Sequence, residues 1–257
     1  MIRQISIALL FAAVCPFVIA GQTFDELLAS ARKGNPVMQA RLAELYQNGD
    51  GVEQSAADAV AWYRKSAVQG YAVAQYNLGV MFSQGRGVSK DEEEAFSWFL
   101  KAAEQGYAAA QYNVGLMYDQ GRGVLPDMKE AVDWYTRAAE QGDDAAQYNL
   151  GVIYSEGKDV PQDYPEAIHW YTMAAQQGAT DAQYNLALIY YAQSSGSDPD
   201  YRKAYAWFSI AAEGGSADAV IYREKTAARL KPQDLDAARQ DVAALSRLIE
   251  QGRPAKK

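Results

Sequence analysis

Residues 71–106 read YAVAQYNLGVMFSQGRGVSKDEEEAFSWFLKAAEQG. Ala74, Leu78, Met81 and Phe82 stand at i, i+4, i+7 and i+8, one stripe of a helix. Ala95, Trp98, Phe99, Ala102 and Ala103 form a second stripe at i, i+3, i+4, i+7 and i+8. Between them Gly85-Arg86-Gly87 offers the left-handed backbone that ends a helix, and Gly106 ends the second one. Gly79 lies beside the first stripe. A glycine there costs roughly 1 kcal/mol, so its recurrence predicts a close backbone approach. The segment reads as an antiparallel helical hairpin with two apolar faces, only one of which the hairpin itself can cover.

The same hairpin recurs along the chain. Gly34, Gly70, Gly106, Gly142 and Gly178 lie 36 residues apart, and Gly215 follows after 37. Trp62, Trp98, Trp134, Trp170 and Trp207 keep the same spacing, as do the pairs Tyr76-Asn77, Tyr112-Asn113, Tyr148-Asn149 and Tyr184-Asn185. Three residue types locked to one period define five units: 35–70, 71–106, 107–142, 143–178 and 179–215. Stacked neighbours bury the stripes that one hairpin leaves bare. The expected fold is all-α, a solenoid of antiparallel helical hairpins. Residues 21–34 supply a capping helix over Phe24 to Lys33. Residues 216–252 supply two more, Ala217 to Leu230 and Gln233 to Glu250, whose charged faces suit a polar end, and 253–257 form a tail.

These residues resemble the Sel1-like repeat, a relative of the tetratricopeptide repeat. Unit 107–142 matches that pattern at Ala110, Val114, Gly115, Tyr118, Gly121, Gly123, Val124, Ala131, Trp134, Tyr135, Ala138, Ala139 and Gly142. The resemblance covers about residues 35–215 and implies a right-handed superhelix that serves as a protein-binding scaffold. Some Sel1-like proteins carry paired cysteines in each repeat and are associated with β-lactam binding or hydrolysis. Cys15 is the one cysteine here, so that association loses its chemical basis.

Composition narrows the function. A formal charge of −8 disfavours nucleic acid and anionic membrane surfaces. One Cys and one His exclude most metal cages and thiol–imidazole dyads. His169 occupies a place held by Ala61, Ser97, Asp133 and Ala206 elsewhere, which marks an exposed, replaceable position. The run Asp91 to Glu94 opens a helix, where its charge complements the dipole. No catalytic residue, cofactor site or metal site is expected.

The expected partner is a protein or peptide, bound by a monomeric chain on the concave face made by the first helices. Positions that vary between units on that face are the better source of specificity, and the repeated tyrosines are either recognition anchors or framework contacts. The candidate partner-binding residues are Tyr112, Asp119, Tyr148, Ser155, Tyr184 and Tyr191. Two loops depart from the repeat: Lys158-Asp159 stands where the second loop glycine belongs, and residues 193–199 replace the loop of unit five. Both read as drift at tolerant surface loops, with a contact site as the alternative. Alternative functions are an enzyme acting on cell-wall material or β-lactams, and a secreted host-interaction factor.

Met1 to Ala20 reads as a signal peptide. It has Arg3 at its start, an apolar stretch from Ile5 to Val14, and Val18-Ile19-Ala20 as a small-residue cleavage site. The stretch is shorter than the roughly 20 residues that span a bilayer, so no membrane segment remains after cleavage. The mature chain, without Cys15 and Arg3, is one unit more negative and relies on packing rather than disulfides in a periplasmic or extracellular setting. N-terminal sequencing of the protein from its native host is expected to begin at Gly21. A soluble cytoplasmic product retaining Met1 contradicts export.

Overall fold

A computed structural model of the chain describes residues 24–192 and 198–252. The signal segment with residues 21–23, the tail 253–257 and residues 193–197 of the divergent loop 193–199 therefore lie outside the described residues. Among those described there are thirteen helices and no strand. Helix α1 (Phe24–Arg32) precedes five hairpins. These pair α2 (Pro36–Asn48) with α3 (Ala56–Ala67), α4 (Ala72–Gln84) with α5 (Glu92–Glu104), and α6 (Ala108–Gln120) with α7 (Met128–Glu140). The fourth and fifth pair α8 (Asp144–Glu156) with α9 (Tyr164–Gln176) and α10 (Thr180–Tyr191) with α11 (Tyr201–Glu213). Helices α12 (Ala217–Ala227) and α13 (Pro232–Gly252) close the far end, both packed on α11. The molecule is a right-handed α-solenoid in which each second helix packs on the first helix of the next unit.

The helices begin and end where local chemistry dictates. Ser55, Asp91, Asp127, Asp163 and Asp200 cap the five second helices, each accepting a backbone N–H two or three residues on. The acidic run of α5 is therefore explained by its position. Asp91 is the cap, Glu92 meets Lys90 and Arg122, and Glu94 accepts the indole N–H of Trp98 at 3.0 Å. The first helices of units one to four end in left-handed glycines.

Packing inside a hairpin turns on one contact. The ring of Tyr135 lies against Gly115, and a Cβ at Gly115 would meet it at 2.8 Å. Phe99 on Gly79 and Tyr171 on Gly151 repeat the arrangement. Ala43 and Ala187 hold the glycine's place in the end units. The residue after each tryptophan is thus the deepest one: Tyr135 is fully buried, whereas Trp134 keeps 7% of its surface. Trp98, Trp170 and Trp207 match Trp134, but Trp62 is only half-buried, because a single helix precedes its unit. A face of each indole in units one to three is covered by a cation: Lys65, Lys101 and Arg137, at 3.8–4.4 Å from the ring centre.

Units are joined by a buried glutamine ladder that the tryptophan and glycine periods did not reveal. Gln39, Gln75, Gln111, Gln147 and Gln183 recur every 36 residues on the first helices. Each side-chain N–H donates to a carbonyl at the end of the preceding unit's second helix, Gln111 to Ala103 and Gln147 to Ala139 at 3.0–3.2 Å. Gln105, Gln141 and Gln177 in turn donate to Gln75, Gln111 and Gln147 within their own units, at 2.6–2.8 Å. The ladder satisfies helix-end carbonyls that burial would otherwise orphan.

Replacing Trp134 with Ala is expected to cost about 3–5 kcal/mol. His169→Ala, on an exposed position of α9, is expected to cost less than about 0.5 kcal/mol. Urea titrations of both variants check the assignment, and equal losses contradict it.

Candidate functional site: the inner face of the solenoid

The first helices of successive units approach closely enough to share hydrogen bonds, which places them on the inner side of the superhelix. Asn185 of α10 reaches the hydroxyl of Tyr148 on α8 at 3.5 Å and that of Tyr171 at 3.4 Å. Asn113 meets Tyr76, and Asn149 meets Tyr112, in the same way. Each Tyr-Asn pair is thus split between two jobs. The tyrosine serves its own unit and the asparagine reaches back to the unit before.

The tyrosine rings also touch the buried aromatic of their own hairpin. Tyr76 packs on Phe99, Tyr112 on Tyr135, Tyr148 on Tyr171 and Tyr184 on Phe208, with ring centres 5.7–5.9 Å apart. All four remain half-buried, so one face is framework and the other lines the groove. Burial pushes the Tyr112 hydroxyl up to about 12, with the nearby charge of Asp143 adding to it. Burial likewise raises Tyr76 and Tyr184, so these three phenols stay neutral at physiological pH.

The six candidate residues fall into two groups. Tyr112, Asp119, Tyr148 and Ser155 gather around α6 and α8. Asp119 accepts from the Tyr135 hydroxyl at 3.3 Å, and Ser155 shares a hydrogen bond with Tyr171 at 3.2 Å. Tyr184 and Tyr191 instead join an aromatic cluster at the C-terminal end, with Phe208 and Tyr222, and Tyr201 packs on Tyr191. Arg229 lies over Tyr201 and donates to its hydroxyl at 2.9 Å. Two hollows open beside the first group, lined by Asp119, Tyr148 and Ser155 but not by Tyr112, Tyr184 or Tyr191. One, of about 140 Å³, runs between Asp119, Met128 and Tyr148 and reaches Lys158 and Asp159. The other, wider at about 460 Å³, continues from Tyr148 and Ser155 to Asn185 and Ala192.

A further row on this face escaped the sequence reading. Tyr71, Tyr107, Asp143 and Ala179 precede the first helices at the 36-residue period and are half-buried. The Tyr107 ring packs on Tyr76 in a tilted pair, with centres 5.1 Å apart. The signal that could have found them is the one that selected Asp119 and Ser155, a change of residue type at a repeated inner position.

Two carboxylates on the inner face are desolvated. Burial raises Asp143 above the usual carboxylate range, opposed by the backbone N–H of Ala146 and reinforced by Asp144. Burial also raises Asp119, against the Tyr135 hydroxyl and Lys158. Among the described residues no group of His, Cys, Asp and Glu has a metal-binding arrangement, and no helix is long and apolar enough to cross a membrane.

Comparison with known proteins identifies the repeat. The Sel1 repeat family model matches residues 36–71, 72–107, 108–143, 144–178 and 180–216, so the chain belongs to the Sel1 repeat family. A Sel1 repeat protein from Oxalobacter formigenes is 39% identical, with a TM-score of 0.70 over 76% of this chain and 80% of that one. The protective antigen c5321 of uropathogenic Escherichia coli is 27% identical, covering 88% and 63%, with a TM-score of 0.44. The immunity protein Pa5087 of Pseudomonas aeruginosa is 23% identical, covering 74% and 72%, also with a TM-score of 0.44. Among curated proteins nothing matches the chain.

The raised Asp143 carboxyl has a consequence for stability. The folded state holds its proton to higher pH than the unfolded chain does. Its stabilising contribution is complete below the ordinary carboxylate range and is lost as pH rises through the raised value. Asp143→Asn keeps a good helix cap while removing the charge. Urea unfolding across this range is expected to show a shallower fall in stability with pH for the variant than for the parent.

Proposed function

We propose that this Sel1 repeat protein is a non-catalytic scaffold that binds a protein segment along its inner face, after export to the periplasm or the exterior. The repeat fold supports protein–protein contact, and the inner face supplies a rigid surface of half-buried tyrosines with polar residues that change from unit to unit. The observation that carries the reading is the pair of hollows meeting at Tyr148, Val152 and Glu156. They form one groove on elements already fixed by the framework. Little ordering entropy remains for binding to overcome, because the tyrosine rings are held by Tyr135 and Tyr171 from behind. A role in envelope regulation or assembly follows from the exported setting, and contact with a host is the alternative for a secreted chain.

The test is site-specific photo-cross-linking in the native host. A benzophenone side chain at Val80 or Ala192 samples the inner face. The same group at Asp133 or His169, both exposed on second helices, samples the outer one. Adducts with a protein partner are expected from the inner positions only. Adducts confined to the outer positions overturn the reading.

A further inference from the structure

The seam between units three and four is built differently from the one before it. At the earlier seam, Gly123 of the α6–α7 loop presses on the start of α5, where a Cβ would fall 2.1 Å from the Glu92 carbonyl oxygen. Arg122 reinforces the contact with a 3.0 Å bridge to Glu92. One unit later the same places hold Asp159, Lys158 and Met128. Asp159 keeps the left-handed backbone, with φ 63°, the one non-glycine residue to do so among those described. A side chain at this place bars the close approach that Gly123 makes, and Met128 offers no carboxylate for Lys158. The smaller hollow lies here, bounded by Asp159, Lys158 and Met128. What reads as drift in the loop is, in the structure, the wall of a cavity.

The chemistry of that cavity selects an occupant. At about 140 Å³ it is below the roughly 300–1,000 Å³ of pockets that enclose a whole small ligand, and matches one side chain of a larger one. Met128, Val152 and Ile153 supply apolar walls. Asp119 and Asp159 bring two carboxylates against the single ammonium of Lys158. Asp119 has a neutral donor, the Tyr135 hydroxyl, rather than a bidentate cation. An aliphatic stem ending in a positive charge fits both features; an acidic or wholly apolar side chain fits only one. We propose that this hollow receives a lysine or arginine side chain of the bound protein segment. The inference deepens the inner-face reading and rests on it.

Selection of a random twelve-residue peptide library on the intact protein tests it. Selected peptides are expected to share a Lys or Arg at one position, and replacing it with Gln is expected to weaken binding at least tenfold. Asp119→Asn and Asp159→Asn, each removing one carboxylate and the latter keeping a residue that tolerates the left-handed backbone, are expected to weaken the basic peptide similarly and leave its Gln twin unchanged. Melting temperatures of both variants show that the fold is intact. Selected peptides without a basic residue, equal effects of Asp119→Asn on the two peptides, or failure to select any binder overturn the proposal. If non-basic peptides are selected and still cross-link to the inner positions, the seam inference falls while the inner-face reading stands.

Discussion

An aromatic ring laid against a glycine sets the dimensions of this protein. Where Tyr135 meets Gly115, the two helices of a hairpin come as close as a side chain and a bare backbone allow. The glycine gives up roughly 1 kcal/mol of helix propensity relative to alanine. Full burial of a ring that size returns about 1.5–3 kcal/mol, so the exchange favours the contact. With the hairpin spacing settled in this way, each first helix presents its glutamine at the height of the previous unit's terminal carbonyls. The ladder Gln75, Gln111, Gln147 then ties one unit to the next. Each such bond is worth about 1 kcal/mol net, but an unpaired amide or carbonyl at the same depth would cost more than that.

The groove is a by-product of the same framework. Tyr112 and Tyr148 are held on one side by the buried aromatic and at the hydroxyl by the next unit's asparagine. What remains exposed is a stiff, neutral, amphipathic surface. Such a surface supplies contact area without specifying a partner. On the proposed reading, specification falls to the places whose residue type changes from unit to unit: Asp119 and Ser155 at one level, Tyr107 and Asp143 at another. That division explains why framework and recognition cannot be separated at the tyrosines themselves.

Periodicity made the hairpins, their order and their buried stripes legible, because a repeated unit prints its packing rules five times over. Gly79 announced a close approach, and Phe99 fills it. The capping role of Asp91 was equally readable, since Ser and Asp recur at that place. The glutamine ladder was printed just as plainly but not recognised, because a polar residue at a helical period reads as a solvated face unless its neighbours' carbonyls are in view. The site was less legible. Lys158-Asp159 is a departure from pattern, and only three-dimensional packing shows which backbone the missing glycine would have touched.

A solenoid is mechanically a row of coupled plates. The joint between units two and three is locked by backbone contact at Gly123 and by the Arg122–Glu92 bridge; the next joint keeps its glutamine tie but has neither of those locks. A joint closed by backbone contact at a glycine has its angle fixed by the main chain, whereas one closed by side chains has an angle that single substitutions can retune. The tilt between units three and four is therefore open to change at Lys158, Asp159 or Met128 without altering the hairpin on either side.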